Sequence, residues 1–352
     1  MFAILEAYGI PPKIVNAIKE GYRNIKAKVK SPDGDTESFD ILAGVLQGDT
    51  LAPFLFVIVL DYAMRQATEG KEEELGLTLY PRQSRRIPAK AITDLDFADD
   101  IVLLSNDIEQ ARTLVNRVER ECLKIGLSMN GKKTKSMFLN SVFEIITTAE
   151  GNIVKQALTE DTKEQDFKYL GSWSEKERDI SVRKALAWRA LHKLKPIWKS
   201  SLHRDFKMLL FRATVESILL YGCGTWSLTK QEEKSLDGTY TRMLRMVMNI
   251  NWNEHITNDQ LYGSLPRVSH TIRQRRLQLA GHVFRDLSSP AHMTVTWQPK
   301  HGHLNRGRQH TTFVDTVLRD TGLGNVKELE TCMKDREIWR RCSSRCPGID
   351  RK

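Results

Sequence analysis

Cysteine is scarce: five residues in 352, at Cys122, Cys223, Cys332, Cys342 and Cys346. An odd number, so widely spread, argues against a disulfide framework. Cys332, Cys342 and Cys346 with His310 match no common zinc spacing, so reduced thiols are expected. Long hydrophobic runs are lacking too. The strongest, "FLFVIVL" at 54–60, is followed within two turns by Asp61 and Arg65, far short of the roughly 20 apolar residues a spanning helix needs. The first residues, "MFAILEAYGIPPK", offer neither a basic leader nor a small-residue cleavage site. An intracellular chain, nuclear or cytoplasmic, is therefore expected. After about residue 173 strand patterns nearly vanish, and acidic residues become the minority.

What is present is a globular composition, 40% hydrophobic and 28% charged, at a length that predicts about two domains. The charge is unevenly divided. Residues 171–352 hold 32 Lys+Arg against 18 Asp+Glu, a net of +14, and residues 1–170 hold 22 against 26, a net of −4. A basic half beside an acidic one suggests a polyanion gripped by the C-terminal part and a cation held by the N-terminal part. Soluble basic faces are common, so charge alone does not decide.

Pro at the start and helical spacing of Ile14, Val15, Ile18 and Tyr22 predict a helix over 11–22. Alternation of Ile25, Ala27 and Val29 around Pro32-Asp33-Gly34 predicts a hairpin. A Gly-bearing loop at 44–48 leads into a helix that Asp49 or Thr50 could cap and whose apolar positions run to Met64. Residues 69–88 read as a polar, exposed stretch. "ITDLDFADDIVLLS" (92–105) reads as a second hairpin with Asp99 and Asp100 at its bend, and Asp94 and Asp96 as polar strand-face residues. A capped amphipathic helix ending at Gly126 follows. Short extended pieces then complete an α+β domain with a mainly antiparallel sheet. Beyond it lie a helical basic region and a Gly/Pro/His-rich linker before short terminal helices.

Adjacent carboxylates near apolar strands raise each other's pKa unless a cation or hydrogen bonds offset them. A divalent metal would do so, because Mg²⁺ takes one or two carboxylates together with water and substrate phosphates. "FADDIVLL" (97–104) resembles the Φ-A-D-D hairpin of reverse transcriptases, and "GVLQGDTLAPFLF" (44–56) resembles their Gln-Gly loop and following helix. "MNGKKTK" is similar to the Asn-x-x-Lys of the non-LTR (LINE-like) retrotransposon members, and "FKYLGSW" to the strand near their palm–thumb junction. "ILLYGCGTWSLT" and "RRLQLAGHVFRD" resemble the segment following their polymerase core. Four motifs in this order are far more specific than any one.

The resemblance implies a partial right-hand polymerase palm at 1–173, a helical basic thumb and connection at 174–289, and a linker with short C-terminal helices at 290–352. It implies RNA-directed DNA synthesis by two-metal chemistry with Mg²⁺, on an RNA template with a DNA primer or RNA–DNA hybrid and dNTPs. Asp99 and Asp100 would be the metal-binding catalytic carboxylates, and Lys133 would stand near the departing pyrophosphate. Gln47, Gly48, Phe97, Ala98 and Asn130 would line nucleotide and template. Basic and aromatic residues interleave in "RKALAWRALHKLKPIWK". Arg183, Lys184, Arg189, Lys193, Lys195 and Lys199, with Arg273, Arg275 and Arg276 further on, could follow a phosphate backbone. Trp188 and Trp198 read as core residues. The family's upstream F-x-D-x-x-x-A-F-D strand has no counterpart here, so an N-terminally truncated, catalytically incomplete polymerase is expected. The alternatives are a non-catalytic nucleic-acid-binding remnant and an unstable fragment with an exposed sheet edge.

Overall fold

Pro12 in the first turn and an apolar stripe through Val15 build a short helix, and that pattern of local signals obeyed recurs along the chain. The computed structural model describes residues 1–32, 34–41, 44–46, 48–139, 145–148, 151, 153–156, 167–297 and 312–344. Two packed units result, Met1–Leu170 and Gly171–Lys352.

In the first unit, α1 (Phe2–Ala7) and α2 (Pro12–Gly21) bury Leu5 and Val15 against Leu55. The expected hairpin forms as β1 (Lys26–Ala27) on β4 (Phe39–Asp40) and β2 (Lys30–Ser31) on β3 (Gly34–Asp35), both antiparallel. Helix α3 (Ala52–Thr68) has Pro53 in its first turn and buries Leu55, Leu60, Ala63, Met64 and Ala67. Its cap differs from expectation. Leu51 holds the N-cap position without a side-chain bond, because the Asp49 carboxylate accepts from the Leu51 amide at 3.2 Å and the Tyr22 hydroxyl at 2.9 Å.

The stretch expected to be a polar loop instead supplies α4 (Glu72–Leu75) and β5 (Leu77–Tyr80), the latter antiparallel to β6 (Lys90–Ile92). Asn106 stitches this pair down by donating to the Gly76 carbonyl at 2.8 Å. The second hairpin is β7 (Asp94–Phe97) and β8 (Asp100–Leu103). Helix α5 (Ile108–Lys124) starts where the Asp107 carboxylate accepts from the Gln110 amide at 2.9 Å, and Gly126 with φ +80° ends it. Val118 and Cys122 of α5 pack on Leu60, Ala63, Met64 and Ala67 of α3.

Strands β9 (Lys135–Ser136), β10 (Ile146–Thr147), β11 (Ile153–Gln156) and β12 (Lys168–Tyr169) close the unit. β11 runs antiparallel to β10 but parallel to β9. One mainly antiparallel sheet was the expectation; among the described residues the strands instead associate in twos and threes. At two to four residues each, they form too few ladder bonds to recruit further neighbours.

The second unit follows β13 (Ser172–Trp173) with helices: α6 (Lys176–Lys193), α7 (Lys195–Trp198), α8 (Arg204–Phe211), α9 (Ser217–Leu219), α10 (Lys230–Val247), α11 (Asn258–Tyr262), α12 (Val268–Arg285), α13 (Phe313–Thr321), α14 (Val326–Lys334) and α15 (Arg336–Ser344). A single π turn, Arg212–Glu216, joins α8 to α9. Helix α10 begins with a reciprocal capping box between Thr229 and Glu232. Trp198 is fully buried and donates its indole N–H to the Leu191 carbonyl at 2.8 Å, and Trp188 packs on the same core. Both tryptophans are core residues.

The terminal helices do not stand apart. Val314, Val317, Leu329, Met333 and Trp339 pack on Leu277, Ala280 and Phe284 of α12, and a Cβ at Gly281 would collide with the Trp339 indole. A buried charge network binds α10, α12 and α13 together. Arg276, with none of its surface exposed, pairs with Asp320. Arg273 reaches Glu233 at 2.8 Å and Asp320 at 3.8 Å, and Arg319 reaches Glu233 at 3.3 Å.

Candidate active site

The β7–β8 hairpin pairs Asp94 with Leu103, Leu95 with Val102, Asp96 with Ile101 and Phe97 with Asp100. Its loop is therefore two residues long, Ala98 and Asp99. Ala98 has φ +55° and Asp99 a negative φ, the pattern of a turn whose first central residue is normally glycine. For alanine the left-handed region costs roughly 1–2 kcal/mol. Such strain, held by the surrounding ladder, is the kind that clusters at functional sites.

Strand alternation gives the hairpin two faces. Ile101 and Leu103 pack against the α3–α5 core, which turns Asp94 and Asp96 to that side. Leu95 and Phe97 share the opposite face, where 44% and 63% of their surfaces are exposed. Asp99 and Asp100 are both exposed at the tip. A rigid apolar stem thus carries two adjacent carboxylates out to solvent, where oxygen ligands could be shared with water and phosphate.

A second acidic group lies behind the hairpin, and the sequence reading treated it only as surface. Partial burial, then Asp94 by charge and hydrogen bond, then the charge of Asp61, push the Asp96 carboxyl up to about 6. Asp94 also accepts from the Thr93 hydroxyl at 2.5 Å. Asp61, on α3, accepts from the Tyr8 hydroxyl at 2.5 Å and from the Arg65 guanidinium at 2.8 Å. Burial and the bond to Asp61 push the Tyr8 phenol up to about 12. Among the described residues, no three His, Cys, Asp or Glu side chains converge as a metal cage. Asp61 was missed because its only sequence signal is an acid ending an apolar helix run.

Tyr169 was also missed as a site residue, although it sits within "FKYLGSW". Its hydroxyl donates to the Leu95 carbonyl at 3.0 Å and lies 3.4 Å from the Asp100 carbonyl, touching both strands of the hairpin. Burial, with the charges of Asp96 and Asp100, raises its phenol above the ordinary value. Tyr169 stays protonated and remains a donor.

The other residues expected at the site are placed as follows. Gly48 has φ +93° in the loop before α3, a conformation that favours glycine; Gln47 lies outside the described residues. Asn130 turns inward on its own backbone. Its side-chain oxygen accepts from the Lys133 amide at 3.2 Å and its carbonyl from the Thr134 amide at 2.9 Å, so it shapes the turn that displays the exposed Lys133. Met129, next to it, packs on the same cluster of Val115, Ile146 and Val154 as Leu103 of the hairpin. Among the described residues no hydrogen bond or ion pair joins Lys133 to Asp99 or Asp100.

In the second unit the expected basic face divides. Arg189, Lys193, Lys195, Lys199 and Arg275 are exposed, and Lys184 is half-buried. Arg183, Arg273 and Arg276 correct the expectation. Arg183 is buried, donates to the Gly171 carbonyl, pairs with Asp179 at 3.5 Å and lies over the Tyr221 ring. Arg273 and Arg276 belong to the ion-pair network described above. Helical periodicity placed these arginines on the helices, but only the packing decides which of them turn inward. Among the described residues no helix is long and apolar enough to cross a membrane.

Residues 2–173 match the family described as reverse transcriptase (RNA-dependent DNA polymerase). An uncharacterized transposon-derived protein of Caenorhabditis elegans is 26% identical over 271 residues, 72% of this chain and 96% of that protein. The retrovirus-related Pol polyprotein from type-1 retrotransposable element R2 of Nasonia vitripennis is 28% identical over 167 residues, 46% of this chain and 15% of that protein. That of Popillia japonica is 28% identical over 296 residues, 79% of this chain and 38% of that protein. The chain thus spans well under half of these R2 polyproteins. Carboxylates on a strained hairpin, a Gly loop before an apolar helix and a tyrosine clasping the hairpin lie within the matched segment, and over residues 2–173 the chain belongs to the reverse transcriptases, of the non-LTR retrotransposon kind.

Proposed function

We propose that the first unit carries part of the palm of an RNA-directed DNA polymerase and that the second holds its nucleic acid. The observation that carries this reading is the hairpin: Asp99 and Asp100 project from a stem whose Ile101 and Leu103 pack in the α3–α5 core. An exposed pair of carboxylates fits one side of a magnesium shell, the rest being water and nucleotide phosphate. Bound Mg²⁺ would supply charge neutralisation at the reacting phosphate. The chain's own residues position and bind. Phe97 and Ala98 set the surface beside the carboxylates, with Gln47 and Gly48 toward nucleotide and template. Asn130 holds the turn that presents Lys133 toward the departing pyrophosphate. Lys184, Arg189, Lys193, Lys195, Lys199 and Arg275 follow the backbone of an RNA template paired with a DNA primer. A role on nucleic acid supports a location inside the cell, in nucleus or cytoplasm.

Two-metal chemistry asks for a further carboxylate, which the family's F-x-D-x-x-x-A-F-D strand supplies and for which these 352 residues hold no matching motif. Primer extension on an RNA template with Mg²⁺ or Mn²⁺ tests the reading, with Asp99→Asn as control. We expect the 352-residue chain to bind an RNA–DNA hybrid in a salt-dependent manner and to give at most trace synthesis. Robust, Asp99-dependent extension would overturn the catalytic incompleteness, and failure to bind any hybrid at low salt would overturn the reading itself. The net of +14 on residues 171–352 favours, as a second reading, a retroelement remnant that binds nucleic acid without copying it; binding with no Asp99 dependence of any kind is its signature.

A further inference from the structure

The buried Arg183 and Arg276 and the half-buried Arg273 and Arg319 of the second unit are neutralised, the first by Asp179 and the others by Glu233 and Asp320. Lys184 and Arg242 are the contrast. Lys184, on α6, donates to the Ser235 hydroxyl of α10 at 3.0 Å, and Arg242 lies two turns further along the same face of α10, its Nε bonded only to the Gly238 carbonyl at 3.4 Å. Among the described residues neither forms an ion pair. Glu232, the one carboxylate whose field reaches Lys184, is already held by Lys176 at 3.0 Å and by the capping bond from the Thr229 amide at 2.7 Å.

Between Ser235 and Arg242 on that face sits Gly238, in the interior of an 18-residue helix, where a Cβ would meet nothing within 4 Å. Glycine there costs about 1 kcal/mol of helix propensity relative to alanine, and no neighbour in the fold requires it. The three positions are exposed. Their shared face is thus open, floored by bare backbone, and flanked by two unpaired cations on different helices. Burial and the nearby charge of Arg242 lower the Lys184 ammonium pKa. That cost is relieved by an anion.

We propose that the α6–α10 face is a phosphate seat, in which Lys184 and Arg242 grip one phosphodiester of a bound nucleic acid, the Ser235 hydroxyl donates to the same group, and Gly238 lets the backbone approach. The seat rests on the reading that this unit holds nucleic acid, and it adds Ser235, Gly238 and Arg242 to that interface. It reads no bases, since phosphate contacts fix register without carrying sequence.

The test is fluorescence anisotropy of a labelled RNA–DNA hybrid with the full chain across a series of salt concentrations. Lys184→Gln and Arg242→Gln are compared with Lys327→Gln, which alters an exposed lysine on α14. Removing one phosphate contact lowers the slope of log K against log salt by about 0.9. The Lys184→Gln/Arg242→Gln pair should therefore show a slope lower by about 1 and binding weakened roughly tenfold at moderate salt, with Lys327→Gln unchanged. Circular dichroism melts confirm that the variants are folded. An unaltered slope in the double variant, with salt-dependent binding intact in the parent, overturns the seat and leaves the wider reading standing. Loss of salt-dependent binding in the parent overturns the wider reading. Competition with dATP forms a separate arm: if nucleotide binds in an Arg242-dependent way and displaces nothing else, the seat belongs to a free triphosphate and the backbone assignment falls.

Discussion

In Gly171–Lys352 most of the inward-facing charges are opposite and matched: Arg276 with Asp320, Arg273 and Arg319 with Glu233, Arg183 with Asp179, while Lys207 is held by the Trp198 and Ser200 carbonyls. In Met1–Leu170 like charges are crowded instead. Asp96 faces Asp94 and Asp61, and Asp99 abuts Asp100 on the exposed hairpin tip. Matched charges hold helices in register and are satisfied within the fold. Crowded like charges are satisfied only in part, and the remainder is available to a cation, or, at Lys184 and Arg242, to an anion. The difference teaches where to look for binding: at the charges the fold leaves unmatched, and not at the most basic stretch of sequence.

The largest effect that bears on this contrast is expected at the matched network. Asp320→Ala strands Arg276 in the core and should cost about 3–5 kcal/mol, read by chemical denaturation followed by far-ultraviolet circular dichroism. Replacing both partners, Arg276→Met with Asp320→Leu, should recover most of that loss, because the buried charge goes with its partner. A single variant that melts like the parent would mean the pairs are ornamental, and the contrast between the units would collapse.

The next effect is smaller and depends on pH. The folded-state value of Asp96 is raised from an ordinary 3.8 to about 6, so the folded state holds that proton more tightly than the unfolded one. Its stabilising share is complete below about pH 3.8 and is lost as pH rises through about 6. Asp96→Asn removes the charged form and should stabilise Met1–Leu170 above pH 6, with the advantage gone below pH 4. More than a third of Asp96 faces solvent, and screening limits the gain to roughly 1 kcal/mol. Denaturation curves of parent and variant at pH 4 and pH 7.5 would show it. Equal curves at both values would show that Asp96 is not crowded at all.

The smallest expected effect is local. Tyr169→Phe keeps the ring and removes one hydrogen bond to the hairpin backbone, a loss of about 1 kcal/mol. Amide hydrogen exchange should quicken over β7 and β8 while α5 is unchanged, and hybrid binding should persist. Exchange that is unaltered in the hairpin would remove Tyr169 from its support.

Much of this was legible in the sequence. The helices at 12–21, 52–68 and 108–124 follow their periods, the last also its Asp107 cap, while the first hairpin follows its turn residues and the second the apolar strands that flank Asp99 and Asp100. The exposed carboxylates at 99 and 100 follow from the two-residue loop. Pairing partners were not legible. "LTLY" at 77–80 is hidden in a polar stretch and finds its mate thirteen or so residues on, and a parallel β9–β11 pair cannot be told from an antiparallel one by alternation. Burial of long basic side chains was also out of reach: Arg275 and Arg276 are neighbours in the chain, one exposed and the other wholly inside. Asp61 and Tyr169 acquire meaning only through atoms brought from 35 and 74 residues away.

Ala98 carries a consequence for how the tip behaves as an instrument. A glycine at φ +55° would sit in one of several broad wells, and the two carboxylates beside it would wander over as many arrangements. Alanine has a single narrow well there. The turn therefore holds one backbone arrangement, so that Asp99 and Asp100 leave the tip from set positions and only their side chains adjust to a partner.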